Sequence, residues 1–191
     1  MKAPVKSPGK ANWLGAMIAA VALLGAAHSA GAAGAAQDSR DLGMALEISY
    51  QINRYPRFTI FDFVTGTVDN GVVTLTGKVT MPFKKDDIAN RARKVNGVRE
   101  VLNRIEVLPV SISDDQLRQR IARAIYSNSA FWQYGAMANP PIHIIVERGH
   151  VTLTGVVNNN VDRMLARSLA VGFGELSVTN DLRTDAEMRS H

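Results

Sequence analysis

Five residues, VTLTG, occupy positions 73–77 and again positions 151–155. A phrase written twice in 191 residues limits the fold more than any other feature, because what one copy builds the other must also build. Val, Thr and Leu alternate and Gly ends the run, so each copy is expected to be a strand. Asp69-Asn70-Gly71 precedes the first copy, and Asn-Gly readily takes the positive φ angles of a type I′ turn. Glu147-Arg148-Gly149 is a weaker version of that turn before the second copy. Alternation continues upstream through Val64, Gly66 and Val68, and through Ile142, Ile144 and Val146. Each copy therefore reads as a β-hairpin with one apolar face, carrying Val73 and Leu75 or Val151 and Leu153.

The likeness extends in both directions. After the first hairpin, residues 82–95 carry Ile88, Ala92 and Val95 at helical spacing, and Asn96-Gly97 stops the helix. After the second, residues 161–171 place Val161, Leu165 and Leu169, with Met164, on one side, and Gly172 is the stop. A further strand follows each helix. Val101-Leu102-Asn103-Arg104-Ile105 matches Val178-Thr179-Asn180-Asp181-Leu182, a shared V-x-N-x-[IL]. Before the second hairpin, residues 113–126 form a helix with Leu117, Ile121, Ala124 and Ile125 on its stripe. Ser113 and Gln116 make a capping box for it. The counterpart in the first half is 41–50, with Leu42, Leu46 and Tyr50, where Gly43 costs about 1 kcal/mol relative to Ala.

The expected class is α+β. Two tandem αββαβ units span 40–109 and 112–185, each a three-stranded mixed sheet with two helices packed on one face. Pro109-Val110-Ser111 is the expected joint. Units this small have modest cores, so the halves are expected to pack on each other or on something else.

Residues 1–36 differ from the rest. Lys2, Lys6 and Lys10 precede an apolar run over 13–27 and then AHSAGAAGAAQD, the pattern of a secretory signal peptide cleaved near residues 32–36. The run is too short and too rich in Ala and Gly for a membrane span. The chain has no cysteine, which excludes lipoprotein acylation, disulfides and thiolate metal sites. Loss of the leader leaves 19 Lys and Arg against 17 Asp and Glu, so the mature chain is near neutral and unlike a nucleic-acid binder.

The element order, Gly71-Val72-Val73-Thr74-Leu75-Thr76-Gly77 after a tight turn, and Gly97-Val98 leading to Val101-Leu102-Asn103-Arg104-Ile105 together resemble the BON domain. The second copy keeps Gly149-His150-Val151-Thr152-Leu153-Thr154-Gly155 but has Phe173-Gly174-Glu175-Leu176 where the Gly-Val pair would stand. The resemblance implies an exported, non-enzymatic module that binds phospholipid or an envelope partner and supports envelope integrity under stress. It implies a periplasmic location and structural glycines, and it leaves the oligomeric state open.

No catalytic constellation accompanies it. Past the leader there are three histidines, His143, His150 and His191, and no acidic cluster joins the first two as a zinc site. There is no G-x-S-x-G elbow and no phosphate loop. The pairs Asp86/Asp87 and Asp114/Asp115 suit the positive ends of helix dipoles. Neither half carries the G-x-x-G loop by which KH modules clamp RNA. No cofactor, metal or nucleic acid is expected.

Two surfaces are candidates for binding an anionic phospholipid surface or an envelope protein. The first joins Phe131, Trp132 and Tyr134 to Arg118, Arg120 and Arg123 on the preceding helix, an aromatic wedge with a basic collar. The same aromatics have a second reading, as the plug of the core in this half. The other is the basic side made by Lys84, Lys85, Arg91, Arg93, Lys94 and Arg99, whose plainer reading is a solvated face. Each such charge contributes only about 1 kcal/mol at an anionic surface, so several must act together. Finally, residues 55–63 hold four aromatics; alternation puts Phe58, Ile60 and Asp62 on one face and Phe61 and Phe63 on the other. One face is expected in the core and the other between the halves.

Overall fold

A computed structural model describes residues 32–189. Most of the expected leader, residues 1–31, lies outside the described residues. The first unit runs α1 (Ala32–Asn53), β1 (Phe63–Asp69), β2 (Val72–Val79), α2 (Pro82–Arg93) and β3 (Glu100–Val107). The second runs α3 (Ile112–Tyr126), a 3-10 turn (Ser129–Phe131), α4 (Trp132–Gly135), β4 (Ile142–Glu147), β5 (His150–Val157), α5 (Asn160–Leu169) and β6 (Ser177–Thr184), and α6 (Asp185–Arg189) follows. Each unit is an αββαβ body whose three-stranded sheet is mixed. The hairpin strands are antiparallel, and the last strand joins the central one in parallel after the helical crossover.

The repeated phrase forms the central strand of each sheet. Val73, Leu75, Val151 and Leu153 are buried on the helix-covered face. The hairpin turns carry the positive φ that type I′ geometry requires, at Asn70 and Gly71 and at Arg148 and Gly149. The closing glycines also have positive φ, 128° at Gly77 and 120° at Gly155. A Cβ there would overlap the carbonyl oxygen of Phe63 or of Pro141 on the neighbouring chain segment.

The shared asparagine has a role in both units. Asn103 donates from Nδ2 to the Lys85 carbonyl at 3.0 Å, and Asn180 donates to the Arg163 carbonyl at 2.9 Å. Each ties the last strand to the crossover helix. The departure at 173–176 leaves the pairing intact: Leu176 N donates to Gly149 O at 2.8 Å, as Arg99 N does to Gly71 O at 2.8 Å.

Three expected helix features shift. α1 begins at Ala32, and its buried side is Met44, Ala45, Ile48 and Ile52, so Leu42, Leu46 and Tyr50 face outward. Two apolar stripes compete on this helix, and Asp41, buried against the hairpin turn, selects the other one. On α5, Leu165 and Leu169 are half-buried against the second core as expected, but Val161 and Met164 are exposed, and the fully buried positions are Ala166 and, just past the helix, Ala170. The cap of α3 is Ser111 and not Ser113; its hydroxyl accepts from Asp114 N at 3.2 Å. The predicted faces of α2 and α3 hold at Ile88, Ala92, Val95, Leu117, Ile121 and Ile125, all buried, while Ala124 is only half-buried and Ala122 is the buried alanine of α3.

Residues 55–62 form two successive turns and no strand, so the alternation expected there does not apply. Tyr55 and Phe58 serve the first core, while Ile60 and Phe61 cross over to pack on the second. Ile144 N donates to Ile60 O at 2.7 Å, Asn139 Nδ2 donates to Asn53 O at 2.9 Å, and Lys78 pairs with Glu147. The halves are thus joined by apolar contact, main-chain bonding and an ion pair.

Candidate binding surface

The aromatic stretch after α3 divides into buried and exposed members. Asn128 caps the 3-10 turn by accepting from Ala130 N at 3.0 Å. That tight turn sends Phe131 into the second core, fully buried and stacked on Tyr134 with ring centroids 5.7 Å apart. Tyr134 is buried as well. Its hydroxyl donates to Asp162 at 2.7 Å and accepts from Asn158 N at 2.9 Å. Burial, with the Asp162 acceptor, pushes its pKa up. Trp132, between them in sequence, points away from the core and is 65% exposed.

The arginines divide in the same way. Arg118 is buried, its guanidinium donating to the Val146 carbonyl and pairing with Asp115. It pins α3 to β4 and is withdrawn from any external anion. Arg120 and Arg123 are exposed. Of the six side chains picked out by sequence, Trp132, Arg120 and Arg123 face outward, and Phe131, Tyr134 and Arg118 form the platform beneath them. The hydroxyl of Tyr134 and the fork of Arg118 both find main-chain or carboxylate partners inside, which is why residues of amphipathic type are buried here.

The basic side of α2 is also thinner than its sequence. Lys84 is buried, donating to Asp62 at 2.6 Å and to Thr80 Oγ1 at 2.8 Å. Asp62 is fully buried and also accepts from the Thr80 and Thr59 amides at 2.7 and 2.9 Å. Burial alone would raise its pKa; the Lys84 ammonium and these donors outweigh it and hold the carboxyl below its ordinary value. Arg91 stacks on Tyr55 at 4.8 Å, and Arg93 donates to Asn90. The acidic residues assigned to helix dipoles do more: Asp87 accepts from the Tyr55 hydroxyl at 2.6 Å, and burial with that acceptor pushes the phenol to about 12.

His143 and His150 do not face each other. The register sets His143 opposite Thr154 and His150 opposite Glu147. His150 is exposed and bonds Ser177 Oγ at 2.8 Å. His143 lies at the joint of the halves, its ring 5.7 Å from Phe58 and 5.6 Å from Phe63. Its Nδ1 is buried without a hydrogen-bond partner, and burial holds its pKa below the ordinary 6.5. Beside it a cleft of about 170 Å³ opens between Ile52, Phe58, Phe63, Pro140 and Pro141. Among the described residues no group of three or more His, Asp or Glu side chains is placed to hold a metal, and no helix is long and apolar enough to cross a membrane.

Sequence reasoning missed the buried Asp62–Lys84 pair and the roles of Asp41 and Asp114. The signal for the aspartates was their matching position in the first helix of each half.

The family model described as BON domain matches residues 49–109 and again 113–186. No curated protein matches the chain. Among solved structures, one similar chain is CdsD, described as a structural protein of the type III secretion system of Chlamydia trachomatis; it is 14% identical, with 72% of this chain and 90% of that chain covered and a TM-score of 0.27. A structure of the C-terminal domain of CdsD is 18% identical, covering 60% of this chain and 52% of that one, also at 0.27. Similarity at that level carries no argument about this protein.

Proposed function

The chain belongs to the BON domain family, and from that premise we propose that it is a non-enzymatic periplasmic protein that associates with phospholipid surfaces and supports envelope integrity under stress. BON proteins are typically periplasmic, and the domain is generally a non-enzymatic binding module. The observation that carries the lipid reading is Trp132, a large amphipathic ring 65% exposed on a short segment anchored by buried Phe131 and Tyr134. Indole rings favour the interfacial zone of a bilayer. Arg120 and Arg123, exposed on the helix that leads into it, supply charge for anionic headgroups. The binding is therefore peripheral, reversible and sensitive to salt.

Flotation with neutral and anionic vesicles at low and high salt tests this. Binding is expected to anionic vesicles alone and to fall with salt. Trp132→Ala, and Arg120→Gln with Arg123→Gln, are each expected to reduce it several-fold in a folded protein. Absence of binding at every salt concentration, or unchanged binding in both variants, overturns the reading.

The second reading is an adaptor that docks to an envelope protein. It is favoured by Val161 and Met164 on α5, 72% and 66% exposed where the helix turns from the sheet. It predicts binding indifferent to lipid composition and a defined protein recovered by crosslinking through α5.

A further inference from the structure

The outward stripe of α1 is more apolar than the fold requires. Leu42, Leu46 and Tyr50 are 44%, 48% and 50% exposed. The second unit supplies an internal control. Asp41 and Asp114 occupy equivalent positions, so Leu42, Leu46 and Tyr50 correspond to Asp115, Gln119 and Arg123 on α3. The same fold is built there with a polar residue at each place. The apolar stripe of α1 therefore serves something outside its own unit.

The stripe also has a charge at each end. Asp38, Leu42, Leu46, Tyr50 and Arg54 follow one another at intervals of four, and both Asp38 and Arg54 are exposed. Arg54 folds back along the stripe, donating to the Tyr50 hydroxyl at 2.7 Å with its guanidinium over that ring at 5.3 Å. Read from the opposite end, the order becomes positive, aromatic, Leu, Leu, negative. An antiparallel copy with Leu46 on a two-fold axis sets Leu42 against Tyr50 and Asp38 against Arg54, on both sides at once. Such self-complementarity is what an isologous interface needs. Rows at i±4n from two helices also interdigitate in the commonest helix-packing class, with axes crossing at about −50°.

We propose that a second copy of this chain covers the stripe, forming a two-fold dimer through antiparallel α1 helices. Three half-exposed apolar side chains per copy place the contact at the small end of specific interfaces, so the dimer is weak and depends on concentration. The rim pairs of Asp38 with Arg54 set direction and register more than affinity. The proposal is independent of the lipid reading, which rests on the other unit.

The test uses the exported protein and its lack of cysteine. Sedimentation from about 1 μM to a few hundred μM is expected to show a monomer–dimer equilibrium, and Leu46→Asp is expected to be monomeric throughout. Asp38→Arg alone and Arg54→Asp alone are each expected to weaken the dimer about tenfold, and the double reversal to return it to within a few-fold of the parent. Leu46→Cys gives a crosslinked dimer through a short bis-maleimide, each thiol adding across one maleimide double bond, while Gln119→Cys at the equivalent position of α3 does not. A chain that stays monomeric at the highest concentration, a dimer that survives Leu46→Asp, or loss of vesicle binding in Leu46→Asp without any dimer in the parent overturns the proposal.

Discussion

Asp41 and Asp114 hold the two hairpins by the same pair of bonds. Asp41 accepts from Asn70 N at 2.8 Å and from Gly71 N at 3.1 Å; Asp114 accepts from Arg148 N at 2.7 Å and from Gly149 N at 2.9 Å. Each carboxylate is buried where the first helix of its unit meets the turn. The turn amides point out of the hairpin and find no partner in the ladder, so the helix provides one.

The two aspartates are not equally replaceable. Asn70 accepts a left-handed conformation with little strain, but Arg148 sits at φ 52° with an ordinary side chain. The second turn therefore depends more on its carboxylate. Asp114→Ala removes two charge-assisted bonds and is expected to cost about 3 kcal/mol. Asp41→Ala is expected to cost about 2 kcal/mol, nearer the lower end for such bonds. Denaturant unfolding of both variants checks the order. Arg148→Asn is expected to recover part of the loss in the Asp114 variant.

The buried pair of Lys84 and Asp62 closes the corner between the crossing segment and α2. The two groups are 7% and 0% exposed and lie 2.6 Å apart. Lys84→Met leaves an unpaired carboxylate in the interior and is expected to cost about 3–5 kcal/mol. Replacing both residues by apolar ones is expected to cost less than the single change. Unfolding midpoints of the single and double variants decide this. A single variant as stable as the parent contradicts the burial of the pair.

Much of the fold could be read from the repeat, because a period-2 pattern, an Asn-Gly turn and a stop glycine are local signals. The lost Gly-Val pair at 173–176 did not obscure the second unit, since its Leu176 still supplies the amide that the turn carbonyl needs. What could not be read was the choice between competing faces. On α1 both Leu42–Leu46–Tyr50 and Met44–Ile48–Ile52 have helical spacing, and the contact that decides is Asp41 with a turn about thirty residues away in the chain. The candidate surface failed to resolve for a similar reason. Arg118 and Tyr134 look like surface residues by type and are buried because a carbonyl and a carboxylate await them inside.

His143 makes the joint of the halves sensitive to acid. It is flanked by Phe58 and Phe63, Asp62 is the charged group nearby, and its ring is held below 6.5 by burial, against the pull of Asp62. Above that value the ring is neutral both folded and unfolded. As pH falls below 6.5, the unfolded chain takes up a proton that the folded ring resists, so stability declines until the folded value is passed. Asp62 acts in a separate window: its carboxyl is held below 3.8, and its contribution fades as pH drops beneath that. Unfolding midpoints measured from about pH 7.5 down to about pH 5 are expected to fall in the parent and to stay nearly level in His143→Gln. Equal slopes in the two proteins contradict the assignment.

Three glycine substitutions separate backbone need from mere tolerance. At Gly77, φ is 128° and a Cβ would overlap the Phe63 carbonyl oxygen; Gly155 has φ 120° and meets the Pro141 carbonyl oxygen in the same way. A side chain at either place must push β1 or β4 away from the central strand of its sheet. Gly77→Ala and Gly155→Ala are each expected to cost about 3 kcal/mol or more. Gly43 lies inside α1, its backbone is helical, and a methyl group added to its Cα would meet nothing within 4 Å. There the only effect is on chain entropy and helix propensity, so Gly43→Ala is expected to stabilise by about 0.5–1 kcal/mol. Thermal unfolding of the three variants beside the parent gives the signs directly. A stabilised Gly77→Ala would mean that the glycine ending each repeated phrase is there for something other than the approach of the neighbouring strand.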